Sequence, residues 1–344
     1  MTTRILFFAS VFILLLSGCI FRFNGTGRLQ LIAETDLVDK DEQERITELL
    51  TQRLIGLDIK EEDIEIHHIQ RGMSVTIKQY SDYDDIELKR ILYAVEAGEH
   101  FALWETYLLS EVDDMLVKAD SILSDSLNRK NKDVAEAGDT DGGGGSFENR
   151  CGRNSSLLLG DVGIVSDHKG NPEESALLGI VNETDTAKIM HLLKSPAVKA
   201  CFPKALKFAW GRPHYIAITG TQEYFLIALK KSAAGTARIP DPVIAGAQEY
   251  QKKFSDPLKI LVRFGGTSVD QWAAMTRENT GRDIAFAIDD YVVSTFRITY
   301  EIPDGDYLIS HFHFRVIFDD LLNTIKGGPT RCNIRVVSSE TYPR

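Results

Sequence analysis

The 344-residue sequence is poor in most features that mark special chain classes. Its four cysteines are too few for a disulfide scaffold of this length. Ten prolines and 26 glycines, without a period, exclude collagen-like composition. No self-similarity recurs at a period of roughly 20–50 residues, so a solenoid or propeller is excluded. Positive charge is in deficit: 39 Lys and Arg stand against 50 Asp and Glu, a net charge of −11 that speaks against nucleic acid as the partner. The sequence has no G-x-S-x-G, H-E-x-x-H or Walker pattern, and so no enzyme, catalytic residue, metal or cofactor is expected. What is present is ordinary for a folded chain, with 43% hydrophobic, 26% charged and 9% aromatic residues. At roughly 100–200 residues per domain, two domains are expected.

Long apolar runs are also lacking, with one exception at the start. Ile5 to Leu16 is a twelve-residue run whose only polar member is Ser10, preceded by Arg4. A helix of that length cannot cross ~30 Å of hydrocarbon, but it has the size of a signal-peptide core. It ends in Leu16-Ser17-Gly18-Cys19, which resembles the bacterial lipobox. Residues 1–18 are therefore expected to be a lipoprotein signal peptide, with Cys19 as the lipid (palmitate) attachment site. Ile-Phe-Arg-Phe follows, without an acidic cluster, so the expected location is the cell envelope, lipid-anchored and facing the periplasm. Cys151, Cys201 and Cys332 remain; at most one disulfide can join them, and the pairing stays open.

Hydrophobic periodicity predicts an α+β chain. Arg28 to Ala33 alternates as a strand, and Ile46, Leu49, Leu50, Leu54 and Leu57 mark a helix over 40–57. Two strands, 63–69 and 73–79, follow around a turn at Arg71-Gly72, then a helix over 84–96 and a strand over 101–107. The order β-α-β-β-α-β is the split βαβ, ferredoxin-like arrangement. Residues 110–130 predict an acidic surface helix. Residues 137–156, with Gly142 to Gly145, read as a linker. Beyond it the pattern predicts helices near 184–193, 267–276 and 316–326, and strands near 205–230, 258–264, 284–288, 291–297, 307–314 and 333–338.

Candidate chemistry is sparse. His67 and His68 alternate on a strand and face opposite sides. His311 and His313 share a face at the spacing of two metal ligands, but with no carboxylate or cysteine placed beside them surface histidines are expected. Asp289-Asp290 fits a hairpin turn rather than paired catalytic carboxylates. Charge is more informative. Residues 34–65 carry twelve acidic and four basic residues, whereas residues 188–263 carry thirteen basic and four acidic ones. Lys188, Lys194, Lys199, Lys204 and Lys207 are accordingly the candidate binding residues for an acidic or extended partner.

Thr276, Asn279 and Gly281, followed by Ile284 to Asp290 and Val292 to Ser294, resemble the first periplasmic domain of SecD, the export subunit fused as SecDF in many bacteria. That family's pattern is a helix ending in T-x-x-N-x-G, then A-I-V-L-D and V-x-S. Upstream, Ile46 to Leu57 is similar to its I-L-R-x-R-V-x-x-L-G helix, Gln70-Arg71-Gly72 to its hairpin, and Phe101 to Tyr107 to its L-E-F-W-E-T-Y strand. Asp185 to Lys188, Lys207 to Gly211 and Ala245 to Tyr250 are similar to the Bacteroides-type version.

The resemblance implies a ferredoxin-like base interrupted by an α+β head. Here the base would comprise 26–108 and 315–344, with the helix and linker at 109–155 and the head at 156–314. It implies binding of unfolded or translocating polypeptide, in or after Sec-dependent export. The family's domain leads into transmembrane helices that couple proton flow to export, whereas this sequence ends at Arg344, so a tethered module without its own motor is expected. The alternative is a scaffold that binds another envelope protein.

Overall fold

The computed structural model describes residues 26–36, 39–70, 72–81, 85–136, 158, 162–164, 175–212, 214–216, 221–251, 257–310, 312 and 315–343. Cys19 and the signal peptide, Gly142 to Gly145, Cys151, His311 and His313 lie outside the described residues. The elements are β1 (Thr26–Thr35), α1 (Lys40–Ile55), β2 (Ile64–Ile69), β3 (Gly72–Ser81), α2 (Asp85–Glu96), β4 (Phe101–Thr106), α3 (Leu109–Glu136), β5 (Gly163–Ile164) and β6 (Leu177–Asn182). They continue as α4 (Thr186–Lys194), α5 (Pro196–Lys199), β7 (Leu206–Gly211), β8 (His214–Ile216), β9 (Thr221–Lys230), β10 (Ile239–Pro240), β11 (Ile244–Glu249) and β12 (Ile260–Phe264). The last are α6 (Thr267–Glu278), β13 (Asp283–Ile288), β14 (Tyr291–Arg297), β15 (Asp306–Ile309), α7 (Arg315–Gly327) and β16 (Ile334–Pro343). The chain is α+β and groups into two compact units. The first is Met1–Ala102, Pro240–Ala273 and Ile302–Arg344, and the second is Leu103–Ile239 with Ala274–Glu301.

In the first unit, α1 begins where Asp39 Oδ1 accepts from the backbone N–H groups of Asp41 and Glu42, at 2.8 and 3.3 Å. Its buried stripe is Ile46, Leu49, Leu50 and Leu54, the periodic residues of the sequence. They pack with Leu29, Leu31, Met73, Val75 and Ile77 of the sheet and with Ile91 and Val95 of α2. The sheet is four-stranded, with order β16-β1-β3-β2, and each neighbouring pair is antiparallel.

One buried charge sits in this core. Arg53, in the last turn of α1, is 1% exposed. Its Nη1 donates to the carbonyls of Ala94 (3.3 Å) and Ala97 (2.6 Å), and its Nη2 to that of Gly328 (2.8 Å). Those carbonyls are the C-terminal ends of α2 and α7, where backbone dipoles leave partial negative charge. Gly98 takes φ 85°, and a Cβ there would lie 2.8 Å from Arg53 Nη2, so the position needs glycine for two reasons. Asn323 of α7 donates to Gly56 O, the end of α1, at 2.7 Å.

The strand expected over 101–107 is the fourth strand of this sheet in the split βαβ order. Instead β4 joins the other large sheet, and β16 takes the place beside β1. Burial explains the exchange: Phe101, Leu103, Trp104 and Thr106 are buried, too many for a strand with one wet face. Along β16, Arg335 and Val337 onward are exposed, which suits an edge.

Residues 240–273 and 302–314, expected with the head, group with the first unit. They build a three-stranded antiparallel sheet, β11-β12-β15. Phe264, Trp272 and Tyr307 stack edge-on or tilted with centroids 5.4 to 6.4 Å apart. Arg315 of α7 pairs with Glu249 of β11 at 2.9 Å.

The second unit holds a nine-stranded sheet, ordered β10-β4-β13-β14-β7-β9-β6-β5, with β8 paired on β9. A further β4–β9 pairing closes β4, β13, β14, β7 and β9 into a ring. Accordingly every residue of β13 is buried. The motif at the end of α6 stops that helix: Asn279 donates to Met275 O from both its backbone N–H (3.1 Å) and its side chain (2.8 Å). Gly281 then turns at φ 83° and its N–H reaches Ile298 O at 2.7 Å. The helix expected as an acidic surface element is half core, since α3 buries Leu109, Val112, Leu116, Ala119 and Leu123 beneath α4 and α5.

Arg53→Ala is expected to cost about 3 kcal/mol or more, because carbonyls at two helix ends lose their donor in a buried site. Arg53→Lys should recover only a minor part, since an ammonium lacks the planar fork. Urea unfolding of each variant measures both.

A milder effect is expected at Glu111. Its carboxylate accepts from Leu108 N at 2.8 Å at the start of α3 and from Arg282 Nη2 at 2.5 Å. Desolvation raises its pKa, but the bonds to Arg282 and Leu108 outweigh it and hold the group below the usual carboxylate range. The stabilisation is therefore present above the ordinary glutamate pKa and lost as pH falls through the folded value. Glu111→Gln should cost about 1 kcal/mol or less at neutral pH after solvent screening. The gap to wild type should close in acid, which unfolding curves across pH will report.

Candidate functional site

In the second unit, Asn182 Oδ1 accepts from Thr184 N at 3.4 Å and leads a short 3-10 turn, Glu183–Asp185, into α4. Ile189 and Leu193 of α4 are buried, while Lys188, His191 and Lys194 are exposed on its other side. His191 and Lys194 occupy the last turn, where cations oppose the helix dipole. Ser195 and Pro196 start α5, which buries Val198 and exposes Lys199. Lys204 is exposed in the turn before β7.

No carboxylate occurs between Thr186 and Lys207. In the same unit Lys230 lies 3.4 Å from Glu105, and Arg238 lies 2.9 Å from Glu278. The stretch from α4 to the turn before β7 thus exposes Lys188, Lys194, Lys199 and Lys204 as a basic cap.

Lys207 is set apart. Its Nζ stands 5.0 Å from the Trp104 ring centroid, a cation–π contact. Phe208, the next residue on β7, packs instead against the core beneath α3 and α4. Of the other basic residues counted in 188–263, Lys259 and Arg263 belong to the first unit. Arg263 is paired there with Asp306 at 2.8 Å.

Sequence reasoning missed an aromatic tract on the helix-bearing face of the same sheet. Phe202 and Phe208 meet edge-on at 5.0 Å, Trp210 and Tyr224 at 6.3 Å, and Tyr224 and Tyr291 at 6.5 Å. All five are half-buried. Register accounts for the far end, because Tyr291 pairs with Trp210 and Val181 with Tyr224. Burial pushes the Tyr224 phenol well up, with Tyr291 and Glu183 adding to it. Burial likewise raises Tyr291, with Asp290 and Glu183 contributing. The available signal was an aromatic at alternating strand positions, Phe208 and Trp210, but that pattern is shared by any core strand.

The remaining candidates are structural. Asp289 takes φ 54° in the two-residue turn between β13 and β14. His68 Nε2 lies 2.8 Å from Thr47 Oγ1 and 3.1 Å from Gln43 O, fastening β2 to α1, while His67 is exposed. Beside His68 an open depression of about 550 Å³ is lined by α1, with Glu44, Glu48 and Glu61 giving it negative charge. Among the described residues, no group of three or more His, Cys, Asp or Glu side chains is placed to hold a metal ion. Among the same residues, no helix is long and apolar enough to cross a membrane.

No family model matches the sequence. Over 169 residues, 49% of this chain, it is 23% identical to the protein translocase subunit SecD of Rhodothermus marinus, and the match spans 26% of that protein. Solved SecDF structures align as well. One is described as a membrane component that enhances protein export: 12% identity, a TM-score of 0.44, and 90% of this chain and 98% of that one covered. Another, SecDF in a super-membrane-facing form, gives 13% identity and a TM-score of 0.47 over 98% of this chain and 34% of that one. The chain is thus similar to a quarter of the curated relative it matches.

The two described cysteines should differ in reactivity. Cys201 is half-buried, whereas Cys332 is 6% exposed and its thiol is pushed up by burial. A maleimide should label Cys201 in the folded protein and Cys332 only after denaturant, as mapped by peptide mass spectrometry.

Proposed function

We propose that this chain is a polypeptide-binding module of the bacterial cell envelope, acting in or after protein export. The observation that carries this reading is the basic cap, where Lys188, Lys194, Lys199 and Lys204 stand exposed along α4, α5 and the turn before β7, in a stretch whose sequence holds no Asp or Glu. Such a surface attracts extended chains through their acidic residues and tolerates many sequences. The sequence similarity to a protein translocase subunit, 23% over 169 residues, supports the assignment to export.

The strand order β16-β1-β3-β2, with α1 and α2 packed against it, supports reading the first unit as a ferredoxin-like base completed by the C-terminal strand. The second unit corresponds to the head. Binding, not catalysis, is its role in this reading. A lipid on Cys19 would hold the module at a membrane with both units facing the periplasm, in agreement with the lipobox-like Leu16 to Cys19.

Capture of a reduced, unfolded secretory protein by the purified chain tests the binding. Enrichment over an unrelated lipoprotein is expected. Reversal of Lys188, Lys194 and Lys199 to glutamate should weaken capture about tenfold at low salt, if each exposed charge is worth roughly 0.5 kcal/mol. No enrichment sinks the reading. Copurification of one stoichiometric envelope protein without unfolded-chain capture would make the molecule a scaffold instead. For the tether, Cys19→Ser should abolish labelling by radioactive palmitate and release the chain from membranes; retained label removes that part.

A further inference from the structure

The two edges of the four-stranded sheet in the first unit are built differently. At one edge, β16 is broken by a bulge, where Ile32 pairs with Ser338 but Ala33 with Val336. Glu96 Oε1 accepts from Val336 N at 2.7 Å, and the strand ends in Pro343. Bulges, proline and side chains laid over edge groups are the devices that discourage foreign pairing. At the other edge, β2 carries none of them. Its sequence, Ile64 to Ile69, holds no proline, glycine or lysine. It pairs with β3 in unbroken register, from Ile64 with Ile77 to Ile69 with Gly72. Among the described residues no strand lies beyond β2, so alternate residues turn both their N–H and C=O groups outward.

Helix α1 walls this edge. Lys40, Glu44, Thr47, Glu48 and Thr51, at helical spacing, line the depression of about 550 Å³ together with Glu61 and His68 of β2. Thr47 Oγ1 donates to Gln43 O at 2.9 Å and so accepts from His68 Nε2 at 2.8 Å, which fixes β2 against the helix. Neighbouring cations are engaged: Arg45 lies 2.8 Å from Glu42, Lys60 3.8 Å from Glu62, and Lys78 2.8 Å from Glu65. Within the depression, Lys40 stands against Glu44, Glu48 and Glu61, all exposed, so the lining keeps an excess of negative charge.

We infer that β2 is a docking edge for an extended segment of another polypeptide, which adds as a fifth strand with lysine or arginine at alternate positions facing α1. Main-chain bonds to the open edge supply affinity for any extended sequence, and the alternate side chains supply the preference. The carboxylates of α1 and Glu61 set that preference towards cations. The inference goes beyond the reading of the basic cap: it concerns the first unit, takes partners of the opposite charge, and stands or falls separately.

The test uses the purified full chain and three fluorescently labelled peptides of equal length, in which threonine alternates with lysine, glutamine or glutamate. Fluorescence anisotropy should show the lysine peptide binding about fivefold tighter than the glutamine peptide, a preference that shrinks at high salt. The triple variant Glu44→Gln, Glu48→Gln, Glu61→Gln should remove the preference and leave the glutamine peptide unaffected. Amide hydrogen exchange over residues 64–69 should slow when the lysine peptide is saturating. The glutamate peptide reports the basic cap independently, since capture there leaves exchange over 64–69 unchanged.

Equal binding of the lysine and glutamine peptides, or a preference that survives the triple variant, overturns the inference. Unchanged exchange over 64–69 in the presence of bound lysine peptide overturns it as well, because the peptide is then held elsewhere. Slow exchange there without peptide, growing with protein concentration alongside a dimer in sedimentation, assigns the edge to a second copy of the chain and overturns the proposed partner.

Discussion

Three helix C-termini meet in the first unit, and Arg53 is what makes that meeting possible. Each helix end presents unpaired carbonyls and roughly half a negative charge, so gathering several in a dry core is unfavourable on its own. The guanidinium supplies a full positive charge and a rigid fork that reaches Ala94 O, Ala97 O and Gly328 O together. Much of the surrounding sequence follows from it. Gly98 and Gly327 leave room for the side chain, whose atoms would lie 2.8 and 3.2 Å from a Cβ at those positions. Thr330 N then bonds Gly98 O at 2.7 Å, and Arg331 N bonds Glu99 O at 2.9 Å. The loop after α7 is thereby stitched to the loop after α2, and this aims the chain into β16.

Local signals in the sequence translate directly into elements. The periodic leucines of α1, the alternation of β3, and the helix stop at Asn279 and Gly281 all have a cause within a few residues. Non-local choices were not legible in the same way. Which strand sits beside β1 depends on how many faces it must bury, and Phe101 to Thr106 alternates well enough to suit either sheet. Only the buried state of Leu103, Trp104 and Thr106 together decides the matter. Arg53 could not be distinguished from a solvated arginine, because its partners are backbone carbonyls contributed by residues 94–97 and 328.

The site shows the same division. The cations of α4 and α5 are contiguous in sequence, so their gathering was visible as a charge imbalance. Lys207 was visible in the same count but faces Trp104, since one step along a strand reverses the side chain. The aromatic tract draws on β7, β9 and β14 and on the turn after α5, and it exists only through register. The lysines and the rings thus differ in the strength of their sequence signals, and the weakest come from the longest-range pairings.

The pairing of β1 with β16 carries a consequence for how the molecule is made. Glu34 and Arg335 face each other across this ladder although 301 residues separate them. As synthesis proceeds from the N-terminus, β1 can find β3 early, but its other edge stays open until the final strand exists. An open edge invites pairing with foreign strands, and such distant closure is slow. The last ten residues of the sheet therefore act as a latch. Until they arrive, the first unit keeps the β1 edge of its sheet open to strands other than its own.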